Sequence, residues 1–257
     1  MKDKARPPLS RPVNRRDLGG LPVAGGRIKP GRLQRSDDVT TVPVEWAVDL
    51  VAEGVVATID LRSAAETILT GPGPLPRLGV AYHWLPLIAD VRLDATLPSQ
   101  ASPDEVGHWY ADLVEINAQR LATAFQVVAD NSGGVLFHCT IGKDRTGILA
   151  ALLLSALGAS DAVIAADYQR TEANLAALYN RAAGLIGALL NQPDGRTPKL
   201  LIPAVGSALR SAPEASIIAL LNHLRRRHGQ VLGPLLDAGL TPVIITELRQ
   251  QLVIADA

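Results

Sequence analysis

Short apolar runs alternate along this chain with longer stretches of helical spacing. Val55 to Leu61, rich in β-branched residues and preceded by Gly54, and Val80 to Leu87 read as buried strands. Val135 to His138 is a third, shorter run. Between the first two, Pro72, Pro74 and Pro76 forbid continuous helix and predict a loop. Val42 to Glu53 reads as a helix. Asp104 to Asp130 reads as one long helix, with Val106, Tyr110, Leu113, Ile116, Leu121, Ala124 and Val128 at helical spacing and Pro103 as a start signal. A further helix runs from Arg145 to Leu157 and stops at Gly158. Ala162 to Thr171, Glu172 to Leu190, Ala215 to His228 and Pro242 to Val253 complete the helical series, so the second half of the chain is mostly α. Ahead of all these, Asn14 to Asp38 carries Gly19-Gly20, Gly25-Gly26 and Pro30-Gly31. It reads as a hairpin-like lead-in to a short strand at Arg32 to Arg35.

Strands that alternate with helices imply an α/β class with a central, largely parallel sheet flanked by helices, here with extra C-terminal helices. Loops that carry chemistry in such sheets sit at the carboxyl ends of strands. At 257 residues the chain is expected to form a single domain, 1–257. The polar, breaker-rich stretch Asn191 to Pro198 splits Ala173 to Ala212 into two hinged helices outside the sheet core.

Composition narrows the function classes. Hydrophobic residues make up 47% and charged residues 19%, which excludes disorder throughout. Formal net charge is zero, so no overall positive field attracts nucleic acid or anionic lipid, and a small anionic target is expected instead. The apolar run Ile148 to Ala159 is too short for a bilayer, which needs about 20 residues. Met1 to Pro12 lacks the apolar stretch of a secretory signal. Cytoplasmic residence is therefore expected, with export by a route independent of a signal peptide left open. The single cysteine, Cys139, excludes an intrachain disulfide.

That cysteine stands in His138-Cys139-Thr140-Ile141-Gly142-Lys143-Asp144-Arg145-Thr146-Gly147, between a predicted strand and a predicted helix. A tight loop leading into a helix aims several backbone N–H groups at one spot and adds the positive end of the helix dipole, as a phosphate dianion requires. Thr140, Ile141, Gly142 and Lys143 are the expected binding residues, and Gly142 permits the backbone angles of such a wrap. Arg145 can offer two parallel donors to two phosphate oxygens, which a lysine cannot. Thiols beside helix N-termini and cations ionise readily, so Cys139 is expected as a thiolate nucleophile. Thr146 is placed to donate to it, and His138 to hold the loop from behind. A lone cysteine at a strand end is ordinarily a small core hydrophobe. The company of His, Gly, Lys, Asp, Arg and Thr argues for chemistry here, with no metal or other cofactor required.

With those residues in view, the loop resembles the signature of the protein tyrosine phosphatase superfamily, in the HCxxGKDRTG form of a bacterial branch. Asn14-Arg15-Arg16-Asp17-Leu18-Gly19-Gly20, Arg35-Ser36-Asp37, Asp60-Leu61-Arg62, Asp167-Tyr168 and His228-Gly229-Gln230 are similar to further elements of that branch. The resemblance implies the cysteine-phosphatase fold and hydrolysis of phosphotyrosine through a cysteinyl-phosphate, with inorganic phosphate released. It implies breadth toward phosphoserine, phosphothreonine and phosphoinositides, for which the second charge of Lys143 is physically apt; alternatively Lys143 pairs with Asp144 or Asp60. It also implies that 173–212 is a helical lid, although a stripe such as Leu175, Leu178, Leu185 and Leu189 is more often an ordinary core face.

Ester cleavage needs a proton for the leaving oxygen. Asp144 in the loop, Asp60 at a strand end, where it also faces the substrate crevice, and Asp90 after Trp84-Leu85-Pro86-Leu87 are all candidates. Rival functions are a non-catalytic phosphate-binding module, a rhodanese-like sulfurtransferase and an arsenate reductase. The last would want further cysteines.

Overall fold

The computed structural model describes residues 8–87, 100–190, 208 and 210–256, without the side chains of residues 184 and 186–190. The lead-in folds as β1 (Arg16–Asp17), a hairpin of β2 (Pro22–Val23) and β3 (Gly26–Ile28), and β4 (Leu33–Ser36). Next come α1 (Val44–Ala52), β5 (Val55–Asp60), α2 (Ala64–Thr70), a 3₁₀ turn at Leu75–Leu78 and β6 (Ala81–Trp84). The sequence reading extends that last strand on both sides and passes over α2. Ser63-Ala64-Ala65-Glu66 closes a capping box in which the Ser63 hydroxyl accepts the Glu66 N–H and the Glu66 carboxylate accepts the Ser63 N–H.

The expected long helix is two, α3 (Pro103–Ile116) and α4 (Ala118–Asp130). Asn117 makes the break. Its backbone leaves the helical region, and its Nδ2 donates to Leu113 O at 2.9 Å and to Leu87 O at 2.8 Å, which ties the end of α3 to the chain beyond β6. Then follow β7 (Gly134–His138), α5 (Asp144–Ala156), α6 (Asp161–Gln169), a 3₁₀ turn at Glu172–Asn174, α7 (Leu175–Leu190), α8 (Glu214–His228), α9 (Gly233–Asp237), α10 (Pro242–Leu252) and β8 (Val253–Ile254).

The main sheet has the order β1-β4-β7-β5-β6. It is parallel except where β1 meets β4, and helices cover it, as expected of the class. A small antiparallel sheet, β2-β3-β8, brings the C-terminus back against the lead-in. β7 is buried along its whole length, as central parallel strands are. Its last residue, His138, stands in register with Ser36 on one side and Asp60 on the other. The segment after β7 thus leaves the carboxyl edge at the middle of the sheet, and α5, almost wholly buried, carries it away. Among the described residues no helix is long and apolar enough to cross a membrane.

Candidate active site

The chain between β7 and α5 curls around its own cysteine. Gly142 has φ of +72°, and a Cβ there would meet Ser36 O and Asp37 N, each at 2.6 Å, so only glycine closes the bend against β4. The Gly142 N–H donates to Cys139 Sγ at 3.2 Å. Although Cys139 is only 2% exposed, its sulfur therefore faces the inside of the loop rather than hiding among core side chains.

The loop carbonyls turn outward. Thr140 O accepts from Asp38 N at 3.1 Å, Cys139 O meets His138 Nδ1 at 3.3 Å, and Gly142 O accepts from Arg35 Nη2 at 2.9 Å and Asn14 Nδ2 at 3.2 Å. In a trans peptide the C=O and N–H point opposite ways. Outward carbonyls at residues 139, 140 and 142 thus turn the N–H groups of Thr140, Ile141 and Lys143 toward the concave side. His138 lies behind the loop, where burial holds its imidazole below the usual pKa against the opposing pull of Asp60. Thr146 Oγ1 is buried with no hydrogen-bond partner among the described residues, so the donation to the thiolate expected for it is not made here.

Arg145, in the first turn of α5, is gripped by Glu66 of α2. Nη1 donates to Oε2 at 2.7 Å and Nη2 to Oε1 at 2.8 Å, while Nη1 also reaches Leu61 O at 3.4 Å. Thr140 Oγ1 donates to the same Glu66 carboxylate. Burial alone would raise the Glu66 pKa, but the Arg145 charge and the bonds from Arg145, Thr140 and Ser63 hold it well below the carboxylate range. Arg145 is pushed correspondingly up by Glu66 against its own burial, with the Cys139 sulfur among the smaller contributors. Glu66 escapes the sequence reading because α2 does; the Ser63-x-x-Glu66 spacing was the available signal.

The candidate carboxylates separate. Asp60 is fully buried, and its oxygens take Arg62 Nε, Arg62 Nη2, the Arg62 N–H and Tyr82 OH. Burial raises its pKa, while the nearby His138 and its bonds to Arg62 more than offset this. These bonds tie Asp60 to the scaffold at the edge of the crevice it was expected to line. Asp144 lies partly open in the first turn of α5, its Oδ1 receiving Tyr110 OH and lying 3.2 Å from Lys143 Nζ. Asp90 lies outside the described residues. Lys143 is turned inward, 1% exposed, and Nζ donates to Ser211 O at 3.1 Å. It thus makes the pair with Asp144 that was one of the roles expected of it.

α7 closes one side of the loop. Leu175, Leu178, Ala182 and Leu185 are buried, and Arg181 reaches Asp37 Oδ2 at 2.8 Å and Ser10 O at 3.0 Å. Beneath it a cavity of about 10 Å³, room for roughly one water, is lined by Asp38, Thr41, Thr140, Arg181, Ala182 and Leu185. Leu189, the last of the expected leucine stripe, has its side chain outside the described set, and of 173–212 only residues 173–190, 208 and 210–212 are described.

Known proteins resemble this chain over much of its length. Residues 7–254 match the model of the tyrosine phosphatase family. A Cupriavidus necator protein named among the tyrosine-protein phosphatases is 33% identical over 165 residues, 60% of this chain and 59% of that protein. A tyrosine-protein phosphatase of Nostoc commune is 37% identical over 121 residues, 46% and 41% of the two chains. The triple specificity protein phosphatase of Mycobacterium tuberculosis is 29% identical over 186 residues, 62% and 66%. The chain thus spans less than two thirds of each of these relatives.

Proposed function

The chain belongs to the tyrosine phosphatase family, and on that premise we propose that it hydrolyses phosphotyrosine monoesters through a cysteinyl-phosphate on Cys139. The observation that carries this is the pairing of a sulfur inside the loop, 3.2 Å from the Gly142 N–H, with an arginine already oriented by Glu66. A guanidinium has five N–H donors. Among the described residues Glu66 and Leu61 take three of those of Arg145, leaving Nε–H and the second Nη2 hydrogen parallel on one edge for two phosphate oxygens.

The thiolate attacks phosphorus in line, the ester bond to the leaving oxygen breaks, and that oxygen takes a proton from Asp144. Water then attacks the cysteinyl-phosphate and gives its proton to Asp144, the S–P bond breaks, and phosphate leaves. Asp144 is the acid this geometry favours, since Oδ1 is held by Tyr110 and Lys143 and, among the described residues, Oδ2 is left for the ester. Charge that spreads over the equatorial oxygens meets amides and a guanidinium fixed in advance, usually the largest catalytic term.

The triple specificity in the name of the Mycobacterium tuberculosis relative favours a wider range for this chain, which we take as phosphoserine and phosphothreonine as well as phosphotyrosine, and phosphoinositides fit once Lys143 turns from its buried contacts toward the loop. α7 then acts as a lid that moves for entry. Cys139→Ser should abolish turnover of para-nitrophenyl phosphate while inorganic phosphate still binds by calorimetry; turnover within about tenfold of the wild type would overturn covalent catalysis.

A further inference from the structure

Three segments that resemble the family outside the loop take no part in the reaction just described: Asn14 to Gly20, Arg35-Ser36-Asp37 and Asp167-Tyr168. The fold brings them to one point behind Gly142. Arg35, 1% exposed, donates through Nη2 to Gly142 O and through Nη1 to Asp167. Arg16 donates to the same Asp167 from Nε at 2.7 Å and to Asn14 Oδ1 from Nη1 at 2.7 Å. Asn14 in turn gives Nδ2 to Gly142 O and its backbone N–H to Asp37 at 2.9 Å. Tyr168 stacks so close to the first turn of α5 that a Cβ on Gly147 would lie 2.9 Å from its ring.

We propose that Asn14 and Arg35 are positioning residues that lock the Gly142–Lys143 peptide with its N–H toward the phosphate, Asp167 and Arg16 holding Arg35 in place. Glycine is the loosest link in a loop, because without a Cβ both φ signs are open to it. Gly142 is required by the tight approach to Ser36 and Asp37, so the peptide that follows it is the one most able to flip. A flip would aim a carbonyl oxygen at the dianion. A carbonyl has two lone pairs; here one neutral donor and one cationic donor fill them, and the flipped state would strand both donors in the interior. Arg35 Nε remains buried with no partner among the described residues. The guanidinium is thus set for Gly142 and Asp167 at the expense of its own full satisfaction.

This inference rests on the phosphatase reading, and its test is chosen to separate the two. The inhibition constant of inorganic phosphate against para-nitrophenyl phosphate does not depend on the fraction of enzyme folded. It should rise about tenfold in Arg35→Met, equivalent to about 1.4 kcal/mol, less in Arg35→Lys, and roughly threefold in Asn14→Ala. Arg15→Ala, which breaks an exposed pair to Glu53, bonds to Gln34 and the contact of the guanidinium with the Trp46 ring, should leave it unchanged. If Arg35→Met does not fold, Asn14→Ala decides, because it keeps the Arg35–Asp167 pair. Values within twofold of wild type in the soluble variants would overturn the assignment, whatever their melting temperatures, since a merely structural role lowers stability and leaves phosphate affinity alone. Should the wild type bind phosphate without turning over any ester, the catalytic reading falls. The same variants in the Cys139→Ser background, titrated with phosphate by calorimetry, then still decide the role of Asn14 and Arg35.

Discussion

Two arginine–carboxylate pairs lie close together at the carboxyl edge of the sheet, and they differ in what they leave unspent. Arg62 pairs with Asp60 and gives its remaining donors to Thr40 Oγ1, Thr70 Oγ1 and Gly71 O, so every N–H of its guanidinium is taken. Arg145 pairs with Glu66 and gives one more donor to Leu61, and among the described residues two N–H groups remain on one edge. Both pairs are buried, and in both nearby carboxylates push the arginine up against its burial, Asp38 ahead of Asp60 for Arg62 and Glu66 for Arg145. The difference lies in donor supply. A saturated guanidinium braces the sheet edge; one with a free fork can bind an oxyanion.

The sharpest way to break that contrast is Arg145→Lys. Lysine keeps the charge but supplies no fork, so it cannot serve Glu66 and phosphate together. We expect kcat/KM for para-nitrophenyl phosphate to fall about 10³-fold, about 4 kcal/mol, with little change in the urea midpoint. A fall below about tenfold would show that the free edge of Arg145 does not carry the transition state.

The Arg62 pair should respond in the opposite currency. Asp60→Asn takes one counter-charge from a buried guanidinium and leaves Asp38, whose Oδ1 lies 3.3 Å from Arg62 Nη1; removal of the partner of a buried pair costs about 3–5 kcal/mol, and the retained Asp38 keeps the loss near the lower bound. The expected outcome is a loss of that order in urea unfolding, while the fraction that remains folded keeps a near wild-type KM and phosphate affinity. If kcat falls selectively for poor leaving groups, Asp60 is the acid after all.

How much of this could be read in the residues alone follows from the range of the interactions. The loop was legible because its requirements are local: a strand end, Gly142 at positive φ, and Arg145 one turn into a helix lie within ten consecutive positions. The parallel sheet was legible from the apolar runs. Glu66 was hidden because it reaches Arg145 from 79 residues away, on a helix whose only marker was its capping box. The partners of Asp60 were hidden because a strand-end position does not show which side chains the neighbouring strands bring to it, here Tyr82 of β6, whose hydroxyl donates to Oδ2, and His138 of β7, 3.9 Å from Oδ1. The break at Asn117 left no trace in the spacing, since apolar positions continue through it.

A smaller effect separates the two carboxylates by pH. Glu66 sits far below the ordinary glutamate value of 4.5. As pH falls through 4.5 the unfolded chain takes up a proton that the folded chain refuses, so the stability Glu66 contributes is present above that pH and is lost progressively below it. Between pH 5 and pH 3.5 one such group removes about 1 kcal/mol. Glu66→Gln should flatten the decline of the urea midpoint over that interval by this amount. Asp60 and Asp167, also depressed, maintain the rest of the slope. An unchanged slope would mean that Glu66 is not the charged partner of Arg145.

The smallest expected signal concerns access. Arg62 needs no opening because nothing must reach it, whereas the free edge of Arg145 has to meet substrate on a side where α7 packs against α2 and the cavity beside Thr140 holds about one water. If α7 is a lid, its amides exchange through a local opening cheaper than global unfolding, and that opening is insensitive to low urea because it exposes little surface. We expect the amides of Leu175 to Ala183 to exchange about tenfold faster than those of Val135 to Phe137, a gap of about 1.4 kcal/mol in opening free energy, with vanadate changing the rates on α7 by a further factor of about two. Protection of α7 equal to that of β7, with and without vanadate, would make α7 part of the core. The route to Arg145 would then have to open somewhere other than over Thr140.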